Sequence, residues 1–358
     1  MEYDSLDDTV NALTKSQGAI LYPNYMYTSE VDNPFFFPAE GVNVIGTGKI
    51  IAIKSATKAM SEGTAYGTLP LYAFCTDGIW PLSVGQTGLF VATNPPTRET
   101  LLNNDPDSAL QIDNAIVFLS DRGLMQLIGE RTTLLSADLS ERYTSFNAND
   151  LPGFSIITER FGLSDLLEGK DFSEYIHSDA RIAFDYANYR IVIYRPYNAD
   201  DKGTHVAYLY DLSSKMWTTI DNRMTSSVED YPGTIVNMVD DDNKTTIAVF
   251  DKLSDALISD KAMYITRPLK IDSPDSFKTI RTLLQRSTLS VNKSIVMWGS
   301  RDMNKWLLVG AADDDKLIRL SGTPYKYFVV GAWVQISVKD SISQLTAEYV
   351  DKLTNRLR

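Results

Sequence analysis

The feature that most constrains this chain is a recurring pair of short apolar strands closed by a tight turn. Leu71 to Thr76 and Ile79 to Val84 flank Asp77-Gly78. A two-residue turn of this kind needs positive φ, which glycine adopts at no steric cost. The pattern returns at Ala115 to Leu119 and Leu124 to Ile128, around Asp121-Arg122-Gly123. It returns again at Arg181 to Tyr186 and Arg190 to Tyr194, around Ala187-Asn188. The loop Asn198 to Gly203 leads on to His205 to Tyr210, and Ser213-Ser214-Lys215 turns into Met216 to Ile220. That last stretch is four antiparallel strands in about forty residues, the size and order of a propeller blade. Trp80 and Trp217 each follow a turn on the closing strand of a unit. Gly48 to Ile53 and the hairpin Tyr231 to Val239 with Thr245 to Phe250, around Asp240 to Asn243, extend the series. Three or four blade-like units therefore lie between residues 48 and 251.

Helical signals are few. Ser5 to Ser16, Pro96 to Asn103 and Leu163 to Tyr175 are the candidates. The chain has 358 residues, 44% hydrophobic and 22% charged, a composition that folds and has length for about two domains. Charge locates the break. Residues 1–260 hold 18 basic and 37 acidic side chains, and residues 261–358 hold 16 and 9, so a net of −19 adjoins a net of +7. The second segment has its own strands: Ala262 to Thr266, Thr279 to Gln285, Ser294 to Trp298, Trp306 to Ala311, Tyr327 to Val334 and Leu345 to Val350. The fold class expected is all-β: a propeller-like domain over 1–260, with few short helices, then a C-terminal β-sandwich over 261–358.

The sequence announces no chemistry. One cysteine excludes an internal disulfide framework, and with only two histidines it is short of most zinc ligand sets. No metal or cofactor is expected. Net charge −12 argues against a sequence reader of nucleic acid, and no apolar run is long enough to span a bilayer. The N-terminus has neither the basic nor the apolar region of a signal peptide, so a cytoplasm, or a particle assembled there, is the expected setting. Cys75 lies in an apolar run and reads as a small core residue. Asp240-Asp241-Asp242 and Asp313-Asp314-Asp315 could ligate calcium, but both stand where a hairpin must turn and lack EF-hand spacing. Ser300 to Trp306 is similar to the Asp-box of sialidase-type propellers, itself a structural hairpin, with one residue missing. His177-Ser178-Asp179 is adjacency rather than a triad, and Gly46-Thr47-Gly48 precedes a strand rather than a helix. The many tyrosines, such as Tyr208 and Tyr210, fit packing between blades better than a carbohydrate platform.

Several runs resemble phage tail β-propeller proteins. Ser29-Glu30-Val31-Asp32-Asn33-Pro34-Phe35 with Ile45-Gly46-Thr47-Gly48 looks like their opening. Leu71 to Trp80, Ile116 to Leu124, Tyr208 to Asp211 with Lys215-Met216-Trp217, and Gly322 to Phe328 with Leu353 to Arg358 are similar to theirs. Within that group the chain resembles the nozzle or muzzle proteins of short-tailed phages, particularly the crAss-like ones. The resemblance implies a structural subunit of a homo-oligomeric ring around the DNA exit channel, with no active site. It further implies neighbouring tail or portal-proximal proteins as partners, passage of DNA without sequence-specific binding, and residence in the virion after assembly in the host cytoplasm. Charge suggests the ring contact: the basic sandwich of one subunit meets the acidic domain of the next, with Arg281, Arg286, Arg356 and Arg358 as interface candidates. The alternative is a propeller that binds or cleaves glycans.

Overall fold

The computed structural model describes residues 22–30, 32–56, 71–84, 90–92, 97–112, 115–129, 131–139, 146–163, 172–177, 179–230, 233–240, 242–250, 260–272, 276–288, 293–318, 320, 322–336 and 340–352. The fold is all-β, built from antiparallel sheets. It divides into two compact units, residues 1–138 with 172–184, and residues 139–171 with 185–358.

The first unit opens with the pair β1 (Tyr25–Tyr27) and β2 (Val42–Val44). A four-stranded meander follows: β3 (Ile50–Ser55), β4 (Leu71–Cys75), β5 (Gly78–Val84) and β6 (Phe90–Ala92). The two-residue turn falls one position earlier than expected, on Thr76-Asp77, and Gly78 opens β5 opposite Cys75 with φ 141°. A second meander comprises β7 (Ala109–Ile112), β8 (Ala115–Ser120), β9 (Gly123–Ile128) and β10 (Arg131–Leu134). Alternation sorts the side chains of β4. Tyr72 and Phe74 meet Ile116, Phe118, Met125 and Leu127 of the second meander, with the Phe74 and Phe118 rings edge to face at 5.4 Å. Ala73 and Cys75 point the other way, into a cluster with Met26 and Ile45. Two successive meanders thus pack face to face, as blades do. Every residue of β8 is buried, so this strand is covered on both faces.

The expected third unit is present as a meander of β11 (Arg181–Asp185), β12 (Arg190–Tyr194), β13 (Val206–Asp211) and β14 (Met216–Asp221). The division between the units falls within its first strand. The next sheet has three strands, β15 (Met224–Asp230), β16 (Gly233–Val239) and β17 (Thr245–Val249).

The C-terminal part of the second unit is a sandwich of two sheets. One has the order β18 (Asp260–Ile265), β23 (Tyr327–Ile336), β20 (Lys293–Ser300), β21 (Trp306–Ala312). The other has β22 (Lys316–Ile318), β19 (Phe277–Ser287), β24 (Ile342–Lys352). Between them lie Ile280, Leu283, Ile295, Met297, Val309, Leu317, Phe328 and Val330. The first sheet is covered on its far face as well. The helix Phe154–Arg160 and its flanks place Leu151, Phe154, Phe161 and Leu163 against Val296, Trp298, Trp306, Val329 and Trp333. Both buried indoles find acceptors there: Trp298 Nε1 donates to Pro152 O (2.9 Å) and Trp333 Nε1 to Thr158 Oγ1 (3.2 Å). Gly331 makes room for both rings, since a Cβ at that position would stand 2.9 Å from the Trp333 ring and 3.1 Å from that of Trp298.

The helix expectations fare unevenly. Residues 5–16 and Pro96 lie outside the described residues. Residues 97–101 are not helical, and only one 3-10 turn forms there, at Leu102–Asn104, ended by Asp105 and Pro106, which start another short turn. Of Leu163 to Tyr175, the described helix is Phe172–Ile176.

Candidate functional site

Arg281 and Arg286 share the outer face of the β22-β19-β24 sheet. Strict alternation would put residues five apart on opposite faces. The β19–β24 register shifts between Ile280 and Thr282, so Arg281 is an extra, bulged residue. The bulge leaves Ile280, Leu283 and Gln285 buried and both arginines exposed. Among the described residues neither makes an ion pair. Lys316 pairs with Leu284 across the same sheet, and Glu348, which accepts from Thr282 Oγ1 at 3.4 Å, is the acidic member of the face. Arg356 and Arg358, the other two interface candidates, lie outside the described residues. The same strand buries Lys278 completely, its Nζ donating to Ser276 O at 3.3 Å. Nothing in the sequence marks this lysine as buried.

The acidic triplets are occupied by their own surroundings. Asp240 Oδ1 accepts from Asp242 N and Lys244 N, closing a turn, and Asp241 lies outside the described residues. Asp313 pairs with Arg160 at 3.2 Å. Asp315 accepts from Ser287 Oγ, Gln285 Nε2 and Lys293 Nζ. Burial raises its pKa, but these hydrogen bonds and the Lys293 charge outweigh it and hold the carboxyl below the usual range. In the Asp-box-like segment, Asp302 Oδ1 accepts from Asn304 N and Lys305 N while Ser300 Oγ accepts from Met303 N. It is a hairpin device. Among the described residues no group of three or more His, Cys, Asp or Glu side chains is placed to hold a metal ion.

The Gly46-Thr47-Gly48 loop has amides pointing at an anion, but the anion is internal. Asp77 Oδ2 accepts from Thr47 N (2.8 Å) and Gly48 N (3.0 Å), and Asp77 Oδ1 from Trp80 Nε1 (3.2 Å). Desolvation raises the Asp77 pKa, and these donors together bring it below its ordinary value. Cys75 is buried beside it, its thiol pushed up to about 12 by burial and then by the Asp77 charge, the opposite of a reactive cysteine. His177 Nδ1 sits 2.6 Å from Ser173 O and Nε2 3.9 Å from Asp121, while Ser178 lies outside the described residues. His205 contacts Asn198 O and stacks on Tyr197 at 4.9 Å.

No family model matches the chain, and no curated protein matches it. Among solved structures it is similar to a chain titled AfRom2 CNH domain, with 8% identity and a TM-score of 0.26, over 80% of this chain and 65% of that one. It is also similar to a chain titled glycoside hydrolase, with 10% identity and a TM-score of 0.21, over 80% of this chain and 82% of that one.

Proposed function

We propose that this chain is a structural subunit of a phage tail, a nozzle- or muzzle-type ring protein around the DNA exit channel that performs no catalysis. One observation carries the reading furthest. A sandwich from the segment of net +7 presents an open sheet face whose Arg281 and Arg286 make no ion pair among the described residues, in a chain whose first 260 residues carry −19. A basic face and an acidic body are not self-complementary. Their contact is head-to-tail, and it closes into a ring where the rotation allows. Opposite patches steer subunits together and set register more than they add affinity. The blade-like meanders and the phage-tail resemblance of the sequence support the same reading. In the virion the acidic part would face the channel and repel phosphate, so that DNA slides.

Light scattering against salt tests this. The Debye length falls from about 8 Å at physiological salt to about 3 Å at 1 M, so association should slow steeply. Arg281→Glu with Arg286→Glu should slow assembly while the fold stays intact. Salt-independent assembly, unaffected by the reversal, would refute the contact.

A further inference from the structure

The sandwich carries a second basic feature, at the end where β19 begins and the Ser300–Trp306 hairpin turns. Phe277, the first residue of β19, has Arg301 over its ring at 6.0 Å and Lys326 at 5.3 Å. The two cations come from different segments, and the backbone of each is tied to the sandwich. Lys326 N donates to Ser300 O (3.0 Å), and the neighbouring bridge between Lys278 and Tyr325 ties that segment to β19. Arg301 Nε donates to Pro324 O (3.4 Å), a bond that uses the inner nitrogen and neither terminal amino group. Lys305 stands exposed at the far side of the same turn. Among the described residues Arg301, Lys305 and Lys326 make no ion pair.

Among the described residues, the carboxylates of the adjoining segments have hydrogen-bond partners of their own. Asp302 Oδ1 closes its own turn, and Asp351 accepts from Ser276 Oγ at 2.9 Å. Asp272 lies against the Tyr349 hydroxyl. Among the described residues, Arg301 and Lys326 therefore rest on a ring, and Arg301 also on a carbonyl, with no acid paired to either. Ordering before binding lowers the entropy cost of taking a ligand. An Arg fork with two free N–H groups fits a phosphate bidentately, flanking lysines add point charges, and a cation over an aromatic ring is a recurring element of single-strand binding sites.

We propose that Arg301 and Lys326, both set over Phe277, together with Lys305 on the turn that carries Arg301, bind the phosphate backbone of a single-stranded nucleic acid without reading its sequence. This goes beyond the ring reading and does not rest on it. The site is separate from Arg281 and Arg286, so the two fail independently.

The test is fluorescence anisotropy of a labelled twenty-residue oligothymidylate with the full chain between 50 and 200 mM salt. Three phosphate contacts give a slope of about −2.1 in log affinity against log salt, an affinity loss of about 18-fold across that range. Arg301→Gln with Lys326→Gln should leave one contact and a loss of about 3-fold. If that pair disturbs the fold, Lys305→Gln on the exposed turn carries the test, and the slope should become shallower by about 0.7. A folded variant with an unchanged slope overturns the proposal. So does displacement by polyglutamate as effective as by unlabelled oligothymidylate, which would assign the site to an acidic protein surface instead. Light scattering with the Arg281 and Arg286 reversals tests the ring contact independently of this site.

Discussion

Thr158→Val removes one oxygen from the second unit, and its consequence can be worked from the structure. Thr158 is 1% exposed and lies on the helix that covers the sandwich. Its Oγ1 accepts the Trp333 indole N–H at 3.2 Å and donates to Phe154 O at 2.9 Å. Valine keeps the shape and takes away the acceptor, so a buried N–H is stranded next to a Trp333 ring that is 0% exposed. An orphaned buried donor costs about 1–3 kcal/mol. In a unit of this size about 2 kcal/mol lowers the melting temperature by about 4–8 °C. Phe154→Ala at the same contact deletes a fully buried ring and should cost about 3–5 kcal/mol. Tryptophan fluorescence is a direct assay, because Trp298, Trp306 and Trp333, three of the five tryptophans, sit in this cluster. A red-shifted transition should come earlier in both variants. A Thr158→Val melt within about 1 °C of wild type would refute the reasoning, since it would mean that the Trp333 N–H has water or another acceptor.

Three further outcomes are expected. Residues 261–358 expressed alone lack the cover that residues 146–163 give Trp298 and Trp333, so the fragment should bind a hydrophobic dye, and adding the 146–163 segment should abolish that binding; dye-free cooperative melting of the bare fragment would argue otherwise. Asp77 and Asp315 both have lowered pKa values, so the stability they contribute is present above the ordinary carboxylate pKa of about 4 and is lost as pH falls below it, which melts from pH 7 to 3 would show as a steep fall that Asp315→Asn flattens. Melts with and without EDTA should coincide, and a drop of many degrees with the chelator would reveal a metal that holds the fold.

What the sequence made legible follows from how local the cause is. Hairpins such as β4–β5 and β8–β9 could be read because an apolar run, a turn residue and a second run are neighbours in the chain. The short strands β6, β10 and β22 carry no comparable local signal. Arg131 to Leu134, for instance, has burial alternating between exposed and intermediate, and it pairs only because β9 offers an edge. The cover on the sandwich has only an indirect signal in the sequence. Ile295 to Trp298 and Phe328 to Val334 are unbroken apolar runs, which mark strands buried on both faces, whereas a sheet with one wet face alternates. What supplies that cover lies more than a hundred residues upstream, and no periodicity reports it. The bulge at Arg281 is equally silent, yet it brings Arg281 and Arg286 to one face. The clasp on Phe277 depends on Arg301 and Lys326 arriving from two other strand ends, a coincidence of the folded chain.

Electron microscopy of the purified protein at low salt distinguishes a ring-forming subunit from a monomer. Closed rings of uniform subunit number with a central channel are expected, and they should fall apart into single subunits as salt approaches 1 M. A field of separate monomers at tens of micromolar and low salt, with no rings at any condition, would contradict the ring reading.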